Sequence, residues 1–138
     1  FGDAPILAMA AACAVARVSD AARAILDGHI VLSRRLAERS HYPSVDVLAS
    51  TSRVMSQVTS KEQQLAAQRM RRLMAIYRDG ADLVSIGAYR EGTDAALDEA
   101  VAANETIERF LQQDLEAPST MDETVTRMLA IAAGRYEE

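Results

Sequence analysis

The sequence predicts a mainly α-helical fold with a small amount of β-structure near its start. Its 138 residues suffice for one domain with one hydrophobic core and are too few for two full domains. Six aromatic residues leave the core to Leu, Ile, Val, Met and Ala, and this composition favours helices over a β-sandwich. Apolar residues recur at helical spacing through the second half, between short loops, as in a small helical bundle.

The first third of the chain is less regular. Residues 4–16 form an alanine-rich apolar run that is too short to span a bilayer, and three interpretations remain open: a packed helix, non-native sequence, or a membrane-surface segment. The segments that follow are predicted as a short helix over 21–26 capped by Ser19-Asp20, a buried strand over 29–33, helical turns over 34–39, an extended turn at Tyr42-Pro43, a short apolar segment over 45–48 and a polar loop over 49–53.

The helices of the second half are predicted from their capping residues. A serine, threonine, aspartate or asparagine before an apolar run satisfies the free N–H groups at a helix start, and a glutamate three residues later completes a capping box. The predicted signals are a box at Thr59 and Glu62, a break or bend at Gly80, caps at Asp94 and Asn104, a box at Thr120 and Glu123, and a stop at Gly134.

The charge distribution argues against nucleic acid as a partner. The net charge is −5 and the sequence pI is near 5.1, which disfavours binding of a polyanion by the whole chain. Residues 80–138 carry thirteen acidic and four basic side chains, so this segment is the acidic surface. Lys61 is the only lysine and has no glycine-rich loop before it, so the chain alone lacks a phosphate-binding loop and is not expected to hydrolyse nucleotide.

Most other groups with chemical potential have a simpler interpretation. His29 and His41 lack the spacing of a metal site, and Cys13 lies alone in an apolar run, which disfavours covalent catalysis. The basic run 69–72 is predicted to form a solvated face or the rim of an interface. The carboxylates at 98, 99, 105 and 108 are likewise predicted to be solvated charges rather than an acid–base pair.

Two residues of the first third fit nucleotide chemistry. Arg53, at the end of a polar segment, has a guanidinium that can donate two parallel hydrogen bonds to a phosphate. Tyr42, restrained by the proline after it, can offer a flat face to a purine. A tyrosine packed on the core and a surface arginine remain the alternative.

Six blocks of the sequence form a distinctive set: 25–34 (Ile-Leu-Asp-Gly-His-Ile-Val-Leu-Ser-Arg), 41–55 (His-Tyr-Pro-Ser-Val-Asp-Val-Leu-Ala-Ser-Thr-Ser-Arg-Val-Met), 82–89, 92–94, 97–100 and 110–113. These blocks resemble the flagellar and type III secretion export ATPases, relatives of the rotary ATP synthase catalytic subunits. The likeness extends over roughly residues 19–132, and the downstream blocks are closer to the flagellar branch.

The resemblance implies that the chain is the C-terminal part of a longer ATPase, whose phosphate-binding loop and Mg²⁺-site acid lie upstream. Residues 19–58 would form the last strand and edge of a RecA-like α/β nucleotide-binding domain, and residues 59–138 a helical C-terminal domain. Residues 1–18 depart from the family and are treated as an atypical, possibly non-native segment. ATP and Mg²⁺ would be cofactors of the full-length protein, and neither is expected to bind tightly to this chain alone.

The resemblance also implies roles for the same two residues. Tyr42 matches the tyrosine that stacks on adenine, and Arg53 matches the arginine finger that one subunit extends to the γ-phosphate held by its neighbour. A finger supplied to a neighbour requires head-to-tail contacts, which close into the homohexameric ring of this family. The synthases close the adenine pocket with a second aromatic residue, and residues 113–116 contain none.

The implied partners are a coiled-coil central stalk, export chaperone and substrate complexes, and membrane proteins of the export gate, at a cytoplasmic site on the inner-membrane export apparatus. Residues 87–102 align with the stalk-facing region, and their acidic character suits a basic coiled coil. A solvated helix start capped by Asp94 is the alternative there. Two further functions remain open: a non-catalytic interaction module that docks stalk, chaperone or cargo, and an α or β subunit fragment of a rotary ATP synthase.

Overall fold

A computed structural model of the chain describes residues 21–114 and 116–136 and contains two strands followed by three longer helices. The mainly α-helical fold class is therefore confirmed. The elements in chain order are β1 (Gly28–Leu32), α1 (Arg34–Glu38), β2 (Val45–Ser52), α2 (Met55–Val58), α3 (Lys61–Ser85), α4 (Ala95–Leu111) and α5 (Met121–Ala132).

The start of the described chain follows the predicted order of elements. Residues 21–25 are helical, as predicted for 21–26, and α1 matches the predicted turns over 34–39. The apolar run at 4–16 and the cap at Ser19-Asp20 lie outside the described residues. No helix within the described ranges is both long and apolar enough to cross a membrane.

Strands β1 and β2 pair antiparallel, with Gly28 opposite Ser52 at one end and Leu32 opposite Val45 at the other. The prediction of a buried strand at 29–33 is wrong, because Ile30 is 74% and Leu32 70% exposed. In the part of the chain that the structure describes, the sheet has two strands and no element covers the face that carries these two side chains.

Strand β2 continues through the segment predicted as a polar loop at 49–53, so that prediction is also wrong as far as Ser52. Backbone pairing with β1 includes Thr51 opposite His29, and the backbone N–H of Val31 donates to Ser50 Oγ at 3.0 Å. An exposed strand needs no alternating apolar residues when backbone pairing holds it, and the polar composition therefore misled the prediction.

Helix α3 begins one residue later than its predicted capping box. Ser60 is the N-cap and Gln63 completes the box, because the Thr59 hydroxyl already donates to the carbonyl oxygen of Met55 at 2.5 Å. The predicted break at Gly80 is wrong, since α3 runs unbroken to Ser85. Gly80 is buried, and a Cβ there would lie 2.5 Å from Leu97 Cδ1 of α4. Glycine serves close helix packing here.

Helix α4 begins at its predicted cap, where the Asp94 carboxylate accepts hydrogen bonds from the backbone N–H groups of Ala96 and Leu97. The predicted cap at Asn104 is wrong, because α4 continues to Leu111. Ala103 and Ile107, on either side of Asn104, are 0% and 2% exposed. Both halves of the helix therefore bury residues in the same core.

Helix α5 confirms the capping box of Thr120 and Glu123, and Gly134 follows its C-cap with a φ of +80°, as expected for a helix stop. The three longer helices share one hydrophobic core that joins α3 to both α4 and α5. Its buried members are Met70, Leu73, Ala100, Ala103, Ile107 and Ile131.

Candidate functional site

Tyr42 lies in the loop between α1 and β2, and its side chain is 56% exposed. Its hydroxyl donates to the carbonyl oxygen of Ala37 at 3.4 Å, which orients the ring along α1. The Tyr42-Pro43 peptide bond is cis. One face of the aromatic ring is thus available at the surface of the described chain, whereas the alternative of a tyrosine packed in the core does not fit this exposure.

The same loop is attached to the far end of α4. His41 is buried, at 8% exposure, and its Nδ1 lies 3.3 Å from the side-chain amide of Gln112. The backbone N–H of Gln113 donates to the carbonyl oxygen of Tyr42 at 2.9 Å. His41 therefore takes part in a contact between the two parts of the chain, and the backbone of Gln113 in the helical part binds the backbone of Tyr42.

Arg53 directly follows β2, at the opposite end of that strand from Tyr42. Its backbone N–H donates to the carbonyl oxygen of Asp27 at 2.8 Å, and its side chain is exposed. Among the described residues, its guanidinium has no hydrogen-bond or ion-pair partner. The group is therefore free to meet a ligand outside the described chain.

The structure does not bring Tyr42 and Arg53 together. β2 pairs along its length with the five residues of β1, from Gly28 opposite Ser52 to Leu32 opposite Val45, and at about 3.3 Å per residue this strand pair spans roughly 13 Å. The two side chains thus stand beyond opposite ends of β2.

One arginine of the basic run 69–72 has a role that the sequence did not reveal. The half-buried guanidinium of Arg71 donates to the carbonyl oxygens of Val47, Leu48 and Ser50 at 2.6, 3.2 and 3.2 Å. The prediction of a solvated face holds for Arg72, which is exposed, and is wrong for Arg71. Only the proximity of β2 to α3 in the folded chain makes this bond possible, so no sequence spacing signals it.

The carboxylates predicted as solvated charges separate into two groups. Glu105 and Glu108 are exposed, as predicted. The prediction is wrong for Asp98, which accepts from the Tyr89 hydroxyl at 2.6 Å and the Gly92 N–H at 2.9 Å and so closes the loop before α4. This hydrogen bond raises the pKa of Tyr89 to about 12.

Glu99 is the second exception. Arg69 donates to its carboxylate at 2.5 Å and Tyr136 at 3.4 Å, so Glu99 ties α4 to α3 and to the end of the described chain. The hydrogen bond from Arg69 lowers the pKa of the Glu99 carboxyl. Within residues 21–114 and 116–136, no group of three or more His, Cys, Asp or Glu side chains is arranged to hold a metal ion.

Comparison with known proteins assigns both parts of the chain to ATPase families. The model of the type III secretion (T3SS) EscN ATPase C-terminal domain matches residues 59–130, and that of the ATP synthase alpha/beta family nucleotide-binding domain matches residues 4–52. The two matches lie on either side of the boundary predicted after residue 58. The second begins within the segment 1–18 that the sequence analysis treats as atypical.

Individual relatives agree with these matches. The chain is 48% identical over 116 residues to a type 3 secretion system ATPase of Pseudomonas syringae pv. syringae, covering 84% of this chain and 26% of the relative. It is 47% identical over 111 residues to a flagellum-specific ATP synthase of Treponema pallidum, covering 80% and 25%. The chain thus spans about a quarter of the length of these relatives, and the two branches are equally similar to it.

A solved structure shares the fold. The assembled ATPase EscN from enteropathogenic E. coli, in complex with its central stalk EscO, superposes with a TM-score of 0.78 at 37% identity, over 83% of this chain and 28% of that chain. The resemblance identified from the sequence is confirmed. Since the EscN-type family model covers more than half of its residues, the chain belongs to the family of type III secretion ATPase C-terminal domains.

Proposed function

We propose that this chain is the C-terminal part of an ATPase that powers flagellar or type III protein export by hydrolysing ATP in a homohexameric ring. The observation that carries the proposal is the position of Tyr42 and Arg53 beyond opposite ends of β2. Both side chains are exposed, and each lies beyond a different end of the strand pair. Tyr42 would contact the adenine of its own subunit, and Arg53 the γ-phosphate held by the next subunit.

The chemistry of both side chains fits this division. The exposed side chain of Tyr42 offers a stacking surface for a purine, and the exposed guanidinium of Arg53, without a partner in the described part of the chain, matches the geometry of phosphate oxygens. ATP bound with Mg²⁺ supplies the phosphoryl group for transfer to water. Arg53 neutralises the charge that develops on that group, and arginine fingers of this kind contribute about 10³–10⁵-fold to turnover.

Mixed rings of the full-length protein test whether Arg53 acts on a neighbour. One subunit type carries Arg53→Ala, and the other carries a replaced lysine in the upstream phosphate-binding loop. Each is inactive alone. A one-to-one mixture should regain about a quarter of the wild-type ATPase rate, because one interface in four then pairs an intact loop with an intact finger. An inactive mixture that still forms rings would refute the action of Arg53 in trans.

A substitution series at Tyr42 tests the adenine contact separately. Tyr42→Phe retains the aromatic face and should leave the KM for ATP within about twofold of wild type, whereas Tyr42→Ala should raise it about tenfold or more. The Arg53→Ala ring, in contrast, should lose kcat while it binds ATP normally. An unchanged KM in Tyr42→Ala would exclude Tyr42 from the adenine pocket.

The acidic end of the helical bundle supports a second, non-catalytic role in binding a coiled-coil stalk. Leu83 and Ile86 are 50% and 75% exposed beside the loop that Asp98 closes. EscN is known in complex with a central stalk, and this surface combines apolar side chains with negative charge that a basic coiled coil complements. Capture of a basic stalk protein by residues 59–138 alone, at low salt, would support the interaction module; absence of binding would contradict it.

The remaining partners and the location of the protein follow from the export function itself. An ATPase that delivers unfolded proteins to a secretion channel must meet chaperone–substrate complexes and the membrane proteins of the export gate. It therefore works in the cytoplasm at the inner-membrane export apparatus. Co-purification of the full-length protein with washed inner membranes, lost when the export-gate proteins are deleted, would test this location.

A further inference from the structure

Strand β2 contains a bulge three residues before Arg53. His29 pairs with Thr51, and Val31 pairs with Asp46, so one residue of β1 stands opposite four residues of β2. These four residues, Val47, Leu48, Ala49 and Ser50, are called the bulge below. Because they are displaced from the ladder, their backbone groups need partners other than β1.

Side chains near the bulge satisfy part of this need. The Ala49 N–H donates to the Asp46 carboxylate at 2.9 Å, and the Ser50 hydroxyl donates to the Asp46 carbonyl oxygen at 2.6 Å. Ser50 Oγ in turn accepts from the Val31 N–H. These bonds are local to the two strands and leave the carbonyl oxygens of the bulge to be satisfied from the other side.

Arg71 of α3 binds these carbonyl oxygens from the side opposite β1. Its Nη1 donates to the carbonyl oxygens of Val47 and Ser50, and its Nη2 to that of Leu48, so one guanidinium binds three of the four carbonyls of the bulge. A planar group with several diverging donors can span three oxygens, whereas an ammonium is a single point of charge. Hydrogen bonds from a charged donor are also stronger than neutral ones.

The segment between the bulge and Arg53 is held on its second side by β1. A Cβ at Gly28 would lie 2.8 Å from the carbonyl oxygen of Thr51, so glycine permits the two strands to approach closely there. The Arg53 N–H then donates to Asp27. Arg71 thus binds β2 from one side and β1 pairs with it from the other, so the backbone that carries Arg53 is held on both sides, although the Arg53 guanidinium has no partner among the described residues.

We infer that Arg71 is a positioning residue for Arg53: by binding the bulge, it fixes the strand end from which the Arg53 guanidinium reaches the neighbouring subunit. The inference rests on the proposed function of Arg53. It assigns to the helical C-terminal domain an indirect part in phosphoryl transfer, because α3 belongs to that domain while Arg53 directly follows β2. Arg71 touches no nucleotide and acts through the backbone alone.

A double-mutant cycle in the full-length ATPase tests this inference. Arg71→Ala should lower kcat at least fivefold while the KM for ATP stays within twofold of wild type, since binding of ATP does not involve the finger. The double variant with Arg53→Ala should be no slower than Arg53→Ala alone, because Arg71 has nothing left to position. Arg72→Ala, the exposed neighbour on the same helix, is the matched control and should leave kcat and KM unchanged.

The outcomes separate the inference from the function on which it rests. If Arg53→Ala loses turnover and Arg71→Ala loses less than fivefold, Arg71 does not position the finger and the inference fails alone. A double variant slower than Arg53→Ala also refutes it. If Arg53→Ala itself keeps full turnover, the proposed function fails.

If Arg71→Ala does not fold, Arg71→Lys tests the same inference. It retains the charge and the helix propensity but loses the planar fork, so its kcat should still fall at least fivefold. A smaller loss in a folded Arg71→Lys ring would overturn the inference. Ring assembly by analytical ultracentrifugation accompanies each variant.

Discussion

Replacing Gly80 with alanine should destabilise the chain, although alanine is the better helix former. Gly80 is buried in the C-terminal part of α3, against Leu97 of α4. A Cβ built at Gly80 lies 2.5 Å from Leu97 Cδ1 and 3.2 Å from Leu97 Cδ2, and ordinary contacts begin at 3.4 Å. The added methyl group therefore collides with a side chain that is itself only 7% exposed.

Two opposing contributions determine the size of this effect. Alanine in place of glycine stabilises a helix interior by about 0.5–1 kcal/mol. Overpacking of a core costs about 1–3 kcal/mol, since Leu97 must leave its rotamer or α4 must shift away. The collision outweighs the gain in propensity, and we expect a net loss of about 1 kcal/mol in the free energy of unfolding.

Urea unfolding of the chain, followed by circular dichroism, measures this loss. Ala102→Gly, at an exposed position inside α4, calibrates helix propensity in this protein and should cost about 0.5–1 kcal/mol. In a Leu97→Ala background the collision is absent, so Gly80→Ala should there stabilise the chain by the propensity difference alone, about 0.5–1 kcal/mol. An increase in stability from Gly80→Ala in the wild-type background would refute the packing argument.

Three further variants test other contacts. Thr120→Ala removes the hydroxyl that accepts from the Glu123 N–H at the start of α5 and should lower the free energy of unfolding by about 1 kcal/mol, measured with urea. The hydrogen bond from Arg69 lowers the pKa of the Glu99 carboxyl in the folded chain. The stability that this ion pair contributes is therefore present above the unfolded pKa near 4.5 and is lost as the pH falls through the folded pKa. Wild type should therefore lose more stability than Glu99→Gln between about pH 5 and pH 3, and equal losses would contradict the role of this pair. Gln112→Ala should raise the KM for ATP of the full-length enzyme with kcat unchanged, because it releases the loop that carries Tyr42; a change in kcat alone would contradict this.

Helix boundaries could be predicted from the sequence wherever the capping residue has no other partner. Asp94 and Thr120 each accept hydrogen bonds from the first turn of the helix they precede, as their spacing indicates. Thr59 fails as a cap because its hydroxyl is engaged by Met55, and Asn104 fails because buried residues flank it in one continuous helix. Local signals therefore hold until another contact competes with them, either a nearby hydrogen bond, as at Thr59, or tertiary packing, as at Asn104.

The contacts between the two parts of the chain could not be predicted, because each joins residues that are far apart in sequence. Arg71 binds carbonyl oxygens more than twenty positions earlier, and Gln112 meets His41 across 71 positions. Every residue type has a backbone carbonyl that can accept a hydrogen bond, so the sequence does not show which carbonyls are bound. The arginine run at 69–72 thus looks uniformly basic in the sequence, although only Arg71 faces β2.

The strand pair and the helices are joined by hydrogen bonds at two places, and hydrogen bonds fix the relative position of the groups that they join. Arg71 binds the bulge in the middle of β2, and the residues after α4 bind the loop of Tyr42. An apolar contact permits sliding by a fraction of a residue, whereas hydrogen bonds to chosen carbonyl oxygens do not. A displacement of α3 relative to α4 would therefore move Arg53 and Tyr42 apart. Since Gly80 allows these two helices to pack closely, the packing of the helical bundle and the positions of Tyr42 and Arg53, the two residues proposed to contact nucleotide, depend on each other.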